Sequence, residues 1–336
     1  MDARRERRPL RGLPAPGGGA LRGWVPLTAA PQTIELAGLE VGRVGYGTMS
    51  LTGRGTWGSP ADPAGARALL RRAAELGVRL FDAADSYGPE TAESLLREAL
   101  HPYDGLLVAT KGGFRRHGPH EWSADCRPEA LRRACEGSLR RLGLDRIDLY
   151  QLHVVDAAVP IEESVGALAE LQAEGKIRAL GVCNVDVGHL ERARASADIV
   201  SVQNRLSLAE RGSEDVLARC AQAGFAFVAW APLAKGYLAR DGSPLAGIAR
   251  AHAATPGQVA LAWLLRRAPN VAVIPGTASS AHLEENMRAA TLHLTPAEVA
   301  ALDRERLWSY RAKRATRLAR ARAGRLRRTL AGRGLR

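Results

Sequence analysis

The chain has 336 residues, 46% of them hydrophobic, with a formal charge of +13 and a pI near 10.4. That length admits two average domains or one large barrel with an ample core, and no apolar run reaches 18 residues, so no membrane-spanning helix is expected. The positive balance is terminal: residues 309–336 carry eleven Arg or Lys and no acid, and residues 1–31 carry six Arg against Asp2 and Glu6, which leaves residues 32–308 slightly acidic.

A nearly neutral body argues against a dedicated nucleic-acid binder. Weak contact with RNA, DNA or anionic lipid is confined to the basic flanks, which otherwise read as solvated tails. Four cysteines (Cys126, Cys135, Cys183, Cys220) lack metal-ligand spacing and are too few for a disulfide scaffold, so they read as reduced thiols in a cytoplasmic protein. Pro14, Pro16 and the glycines at 17–19 interrupt the stretch where an export signal needs an apolar run.

Three regions are expected: an Arg/Pro/Gly-rich, flexible extension over 1–32, a folded domain over 33–308 and the Arg-rich tail over 309–336. The segment TIELAGLEVGRVGYG opens the domain as a short β-hairpin placed to plug a barrel. Short apolar runs then alternate with helical patterns. Strands are expected at 43–47, 79–82, 106–110, 147–153, 179–182, 199–203, 226–229 and 271–274. Helices are expected at 63–76, 91–100, 128–142, 161–174, 187–195, 214–223, 256–266 and 281–289. Pro63, Pro128 and Pro256 suit first helical turns, while Gly77, Gly143, Gly175 and Gly224 suit C-terminal caps. Thr295 with Glu298 forms a capping-box pattern that opens an extra C-terminal helix reaching Trp308. Eight βα units in this span predict an α/β fold, a TIM (β/α)8 barrel with an N-terminal hairpin and an extra C-terminal helix.

In such a barrel, chemistry sits at the C-terminal ends of the strands. Asp82 ends the second strand with Tyr87 in the loop after it, Lys111 ends the third, and His153 ends the fourth. A free phenol, with a pKa of about 10, is a poor acid near neutrality. A nearby ammonium stabilises phenolate and lowers that pKa, and a carboxylate keeps the ammonium charged. Asp82, Lys111 and Tyr87 have that chemistry, and His153 adds a donor for a carbonyl oxygen. The plainer alternative is a salt bridge with two polar loop residues.

Further polar residues recur at the same level. Asn184 and Gln203 match a carboxamide and Trp230 offers a stacking face, a combination suited to a nicotinamide. After the eighth strand, Pro275 and Gly276 break the chain and lead into a helix whose first N–H groups would face an anion. Gly53, Gly55 and Gly58 match GxGxxG, but Ser59 and Pro60 follow and the helix starts only near Pro63, so they read as a flexible loop over the barrel mouth. His117 and His120 lack a second ligand cluster, and no metal is expected. Trp57, Phe114, Trp122 and Tyr237 are candidate apolar walls for a substrate, and equally candidates for packing.

These segments together resemble the aldo-keto reductase superfamily across residues 33–305: FDAADSYG, VATKGG, DLYQLH, EGKIRALGVCN, SVQN, AWAPLAKG and IPGTASSAHLEEN follow one another in the family's order. The loop GGFRRHGPHEW and the segment after it look like the bacterial branch that includes pyridoxal reductases. The resemblance implies NADPH-dependent reduction of an aldehyde or ketone, with Tyr87 as proton donor and Asp82, Lys111 and His153 completing a tetrad. It also implies cofactor contacts by Asn184, Gln203 and Trp230 at the nicotinamide, Leu233 and Gly236 along the pyrophosphate, and Gly276, Thr277, His282, Glu285 and Asn286 around the adenosine. Cys183 stands where many relatives have Ser. Gly276 and His282 replace the Lys and Arg that well-studied relatives use on the 2′-phosphate, which leaves NADH open as a cofactor. A non-catalytic alternative is an NADPH-sensing protein resembling potassium-channel β-subunits. No stripe of residues indicates an oligomer interface.

Overall fold

The computed structural model describes residues 32–240 and 243–305. Residues 1–31, the basic tail and the expected end of the last helix at Trp308 lie outside the described residues. In chain order the elements are a hairpin of β1 (Thr33–Leu36) and β2 (Leu39–Gly42), β3 (Tyr46–Gly47), α1 (Pro63–Glu75), β4 (Leu80–Asp82), α2 (Thr91–Leu100) and β5 (Leu107–Gly112). A second hairpin, β6 (Phe114–Gly118) and β7 (Glu121–Ala124), precedes α3 (Pro128–Leu142), β8 (Ile147–Leu152), α4 (Ile161–Ala173), β9 (Ile177–Cys183), α5 (Val187–Ser196), β10 (Ile199–Arg205) and α6 (Glu214–Ala223). The chain continues through β11 (Ala226–Trp230), α7 (Ala246–Ala251), α8 (Pro256–Leu265), β12 (Val271–Val273), α9 (Ser280–Arg288) and α10 (Pro296–Arg304).

Strands β3, β4, β5, β8, β9, β10, β11 and β12 pair in that order, all parallel. The ring closes where Val44 bridges Val273, with Gly45 N donating to Val273 O at 2.8 Å and Val273 N donating to Arg43 O at 2.8 Å. This is a (β/α)8 barrel. Its helices begin where local chemistry dictates. Asp62, Asp186, Thr255 and Thr295 cap α1, α5, α8 and α10, the last two through full capping boxes with Gln258 and Glu298. Gly143 and Gly224 close α3 and α6 in the left-handed conformation.

Two apolar cores follow from the period-2 alternation of the strands. Phe81, Val108, Tyr150, Leu180, Val202 and Phe227 point outward against the helices. Leu80, Leu107, Ala109, Leu149, Ala179, Ala226, Val228 and Ala272 point into the barrel, where Ile34, Leu36 and Val41 of the first hairpin join them. The hairpin therefore plugs the barrel as its alternation suggested. At the C-terminal side, Asp303 of α10 accepts from Trp263 Nε1 and Arg267 Nη1, both at 2.9 Å, and so anchors the extra helix on α8.

Two elements depart from expectation. The segment after β5, read as a loop, contains the hairpin β6–β7, and the short helix α7 precedes α8. In β6 the half-buried positions are Phe114 and Arg116 while Arg115 and His117 are exposed. An arginine in an inward slot hides the apolar alternation that marks a strand. The glycine loop over the mouth is also tied down: Gly53 N donates to Gly58 O and Gly58 N to Gly88 O, both at 2.9 Å. A Cβ on Gly53 would lie 2.2 Å from Trp57 O, so the glycine there serves a close backbone approach.

Arg43 lies at the closing seam, 2% exposed, and donates to the carbonyls of Val271 at 2.7 Å, Leu265 at 2.5 Å and Ala268 at 2.6 Å. Burial pulls its pKa down to about 10, and it remains charged. Arg43→Ala would leave buried carbonyls unpaired and is expected to lower stability by about 2–4 kcal/mol in urea unfolding. A midpoint unchanged from the native chain would show that water replaces the guanidinium without cost.

Candidate active site

The alternation that fills the barrel with apolar residues ends, at the C-terminal rim, on polar ones. Two residues beyond Leu80 stands Asp82; beyond Ala109, Lys111; beyond Leu149, Gln151 and then His153; beyond Ala179, Gly181 and then Cys183; beyond Val228, Trp230. Register sets them side by side, with Asp82 opposite Ala109, Lys111 opposite Gln151, and Gln203 opposite Cys183.

Lys111 is completely buried. Its ammonium donates to Asp82 Oδ1 at 2.7 Å, Asp82 Oδ2 at 2.8 Å and Ala83 O at 2.7 Å, which uses all three of its protons. Burial works against the charge, but Asp82 and then the neighbouring Tyr87 and Cys183 outweigh it and hold the Lys111 pKa above its ordinary value. The ammonium lies 5.2 Å from the centre of the Tyr87 ring. Burial dominates Tyr87 in turn and pushes its phenol up to about 12; the lowering effect of Lys111 is present but smaller. Proximity to lysine alone predicted the opposite net direction. His153, also buried, packs edge-on to Tyr87 at 5.7 Å between ring centres and to Phe114 at 4.7 Å. Burial first and Lys111 second hold its pKa well below the ordinary range, so the imidazole is neutral. Its Nδ1 lies 3.5 Å from Ser86 Oγ.

Gln203 Nε2 donates to Asp82 Oδ1 at 2.7 Å and to Gln151 Oε1 at 3.1 Å. Asn184 takes a left-handed conformation at φ 58°, with Nδ2 donating to His153 O at 2.9 Å and Oδ1 accepting from Trp230 Nε1 at 3.0 Å. These amides thus link the tetrad to the tryptophan. Leu233, Gly236 and Tyr237 lie on the loop after β11, where Leu233 and Tyr237 pack against the main core. Gly276 and Thr277 follow β12. A Cβ on Gly276 would sit 2.7 Å from Gly47 O, and Thr277 O accepts from the Tyr46 hydroxyl. On α9, Ser279 caps His282 N, Glu285 O accepts from Gln258, and Asn286 O accepts from Ala289 N while its side-chain amide bonds no protein group among the described residues.

Two of the four expected wall residues, Phe114 and Trp122, pack against the tetrad. Phe114 meets Trp122 at 5.3 Å between ring centres, and Trp122 packs beside Ala84, Tyr87 and Ala92. Trp57 bridges Gly88 next to Tyr87. Tyr237 stays with the core of its own loop.

Residues 43–306 match the sequence model of the Aldo/keto reductase family. The chain belongs to that family. An uncharacterized oxidoreductase of Schizosaccharomyces pombe is 44% identical over 81% of this chain and 89% of its own length. Pyridoxine 4-dehydrogenase of Escherichia coli is 41% identical over 81% of this chain and 97% of its own. An aldo-keto reductase from Klebsiella pneumoniae, solved in complex with NADPH, superposes with a TM-score of 0.68 at 33% identity, covering 79% of this chain and 91% of that one.

Two buried groups of this aldo/keto reductase escaped the sequence reading. Gln151, fully buried, accepts from Gln203 and from the Cys183 thiol at 3.6 Å and donates to Ser201 Oγ at 3.4 Å. Its spacing two residues before His153 was the available signal. Asp85, two residues before Tyr87, has a buried Oδ1 without a hydrogen bond. Nearby Glu93 accepts from Thr110 Oγ1 at 2.5 Å and from Arg141 Nε at 2.6 Å.

Burial, reinforced by Glu93 and opposed by Arg141, pushes the Asp85 carboxyl up to about 8. The folded chain therefore keeps a proton that the unfolded chain has lost above its ordinary value of 3.8. Stability falls as pH rises between those values and levels off beyond the upper one. Thermal melts should show a melting temperature lower by roughly 3 °C or more at pH 9 than at pH 6. Asp85→Asn should flatten that slope; an unchanged slope would assign it to other groups.

Proposed function

We propose that this chain reduces an aromatic aldehyde of the pyridoxal type to its alcohol with NADPH. One observation carries the reading: a buried Lys111–Asp82 pair stands against a buried, protonated Tyr87, with neutral His153 beside it. Bound NADPH would supply the hydride for the carbonyl carbon. Tyr87 gives its proton to the oxygen as negative charge develops there. Lys111 stabilises the phenolate left behind, and Asp82, through both oxygens, keeps the ammonium charged and aimed. With its proton on Nε2, the neutral His153 ring would hold the carbonyl oxygen, Nδ1 lying 3.5 Å from Ser86 Oγ.

Trp230, Asn184 and Gln203 would flank the nicotinamide, Leu233 and Gly236 the pyrophosphate, and Gly276, Thr277, His282, Glu285 and Asn286 the adenosine end. Asn286 fits this assignment: its side-chain amide has no protein partner among the described residues and is free to bond the adenosine end. Phe114, Trp122 and Trp57 suit a flat ring in the substrate, and the Escherichia coli relative is a pyridoxine 4-dehydrogenase. Four free, buried cysteines are consistent with a reducing cytoplasm. No helix among the described residues is long and apolar enough to cross a membrane.

Tyr87→Phe is expected to lower kcat with pyridoxal by about 10²–10⁴-fold while the Kd for NADPH stays within about twofold. Wild-type turnover in that variant would remove Tyr87 from the role of acid. Asn286→Ala should weaken NADPH about tenfold in a fluorescence titration, and parallel assays with NADH test the choice of cofactor. Tight NADPH binding without turnover on any aldehyde would favour the sensing alternative.

A further inference from the structure

We propose that Arg116 sets the shape of the substrate mouth and thereby the preference of this site for flat aromatic carbonyl compounds, as a positioning residue that touches neither substrate nor cofactor. The selectivity part rests on the reductase reading above; the geometry does not. Arg116 sits on the inward face of β6, half-buried, and every N–H of its guanidinium is spent on a backbone carbonyl. Nε donates to Glu121 O at 3.2 Å. Nη1 donates to Thr56 O at 2.6 Å and Ser86 O at 2.7 Å, and Nη2 to Gly55 O at 3.0 Å and Gly118 O at 3.1 Å.

Those five carbonyls belong to three separate stretches of chain: the glycine loop after β3, the loop after β4 that carries Tyr87, and the hairpin β6–β7 itself. The flat faces of the group are used as well, with Trp122 at 3.7 Å and Trp57 at 5.6 Å from ring centre to guanidinium carbon. No carboxylate pairs with Arg116 among the described residues, so carbonyl dipoles and aromatic rings hold its charge. Around this centre His120 N donates to Gly55 O at 3.1 Å and Gly58 N to Gly88 O at 2.9 Å, and the three stretches form one layer.

The layer meets the chemistry through a chain of rings. Arg116 fixes Trp122, Trp122 meets Phe114, and Phe114 meets His153. Tyr87 has anchors of its own, its N–H on Ala84 O and its carbonyl on Ala92 N, both at 3.1 Å. Loss of Arg116 should therefore loosen the aromatic wall more than the proton donor. With all five donors engaged, Arg116 has none left for a substrate anion, which makes its contribution one of shape. Lysine cannot replace it, because an ammonium has three donors and no flat face.

The test compares the full-length chain with its Arg116→Lys variant, using NADPH with pyridoxal and with propanal. The expected result is a fall of at least about tenfold in kcat/KM for pyridoxal, mainly through KM, with propanal within about threefold and NADPH Kd within about twofold. Equal losses on the two aldehydes, or no loss on pyridoxal, would overturn the selectivity role. Hydrogen exchange provides an arm independent of turnover: the amides of Gly58 and His120 should exchange at least about tenfold faster in the variant while that of Leu149 in the barrel is unchanged. Unchanged exchange at Gly58 and His120 would overturn the clasp. Should the native chain reduce neither aldehyde, the reductase reading fails, and exchange alone decides whether Arg116 ties the three stretches together.

Discussion

The ammonium of Lys111 is enclosed in a barrel that is otherwise filled by Leu, Val and Ala, and it stays charged because three oxygens receive its three protons. Such a burial is not a source of stability in itself, since desolvating two charges offsets most of their attraction. It is a constraint on everything around it. Strands β4 and β5 must be in register, the Ala83 carbonyl must turn inward after Asp82, and Gln203 must arrive from β10 to occupy Asp82 Oδ1. Barrel closure through Arg43 and the plug of Ile34, Leu36 and Val41 keep water from reaching this pair from below.

The same burial reverses a simple expectation about the tyrosine. An ammonium beside a phenol suggests an easily ionised group, yet desolvation outweighs that attraction and keeps Tyr87 firmly protonated. In the proposed role of acid, Tyr87 would hold its proton until an alkoxide forms, with the positive charge already in place when phenolate appears. His153 is governed by the same balance in the opposite sense. A buried imidazole beside a buried ammonium remains neutral, which suits the hydrogen-bond donor proposed for it.

Above this centre the loops differ in kind from the strands that carry it. The barrel is ordered by apolar packing, whereas the mouth is ordered by one guanidinium, two indoles and a set of backbone carbonyls. The Asp85, Glu93 and Arg141 group beneath the Tyr87 loop adds a second polar support, one whose carboxyl carries a proton that depends on burial.

Local order in the sequence was enough for the barrel, because strand alternation, proline at first helical turns and glycine at helix ends are each dictated by near neighbours. It was also enough to align Asp82, Lys111 and His153 at successive strand ends, with Tyr87 in the loop after the first of them, since a period of two fixes which strand residues reach the rim. Gln151 obeyed the same rule but looked like one polar residue among apolar ones. The hairpin β6–β7 was hidden because Arg116 fills the slot that an apolar residue would have marked. What only the tertiary structure decided were properties that depend on distant segments: the depth of burial that sets the protonation of Tyr87, His153 and Asp85, and the convergence of Gly55, Thr56 and Ser86 on one arginine. Desolvation and backbone-carbonyl geometry are sums over neighbours remote in sequence, and no local pattern encodes them.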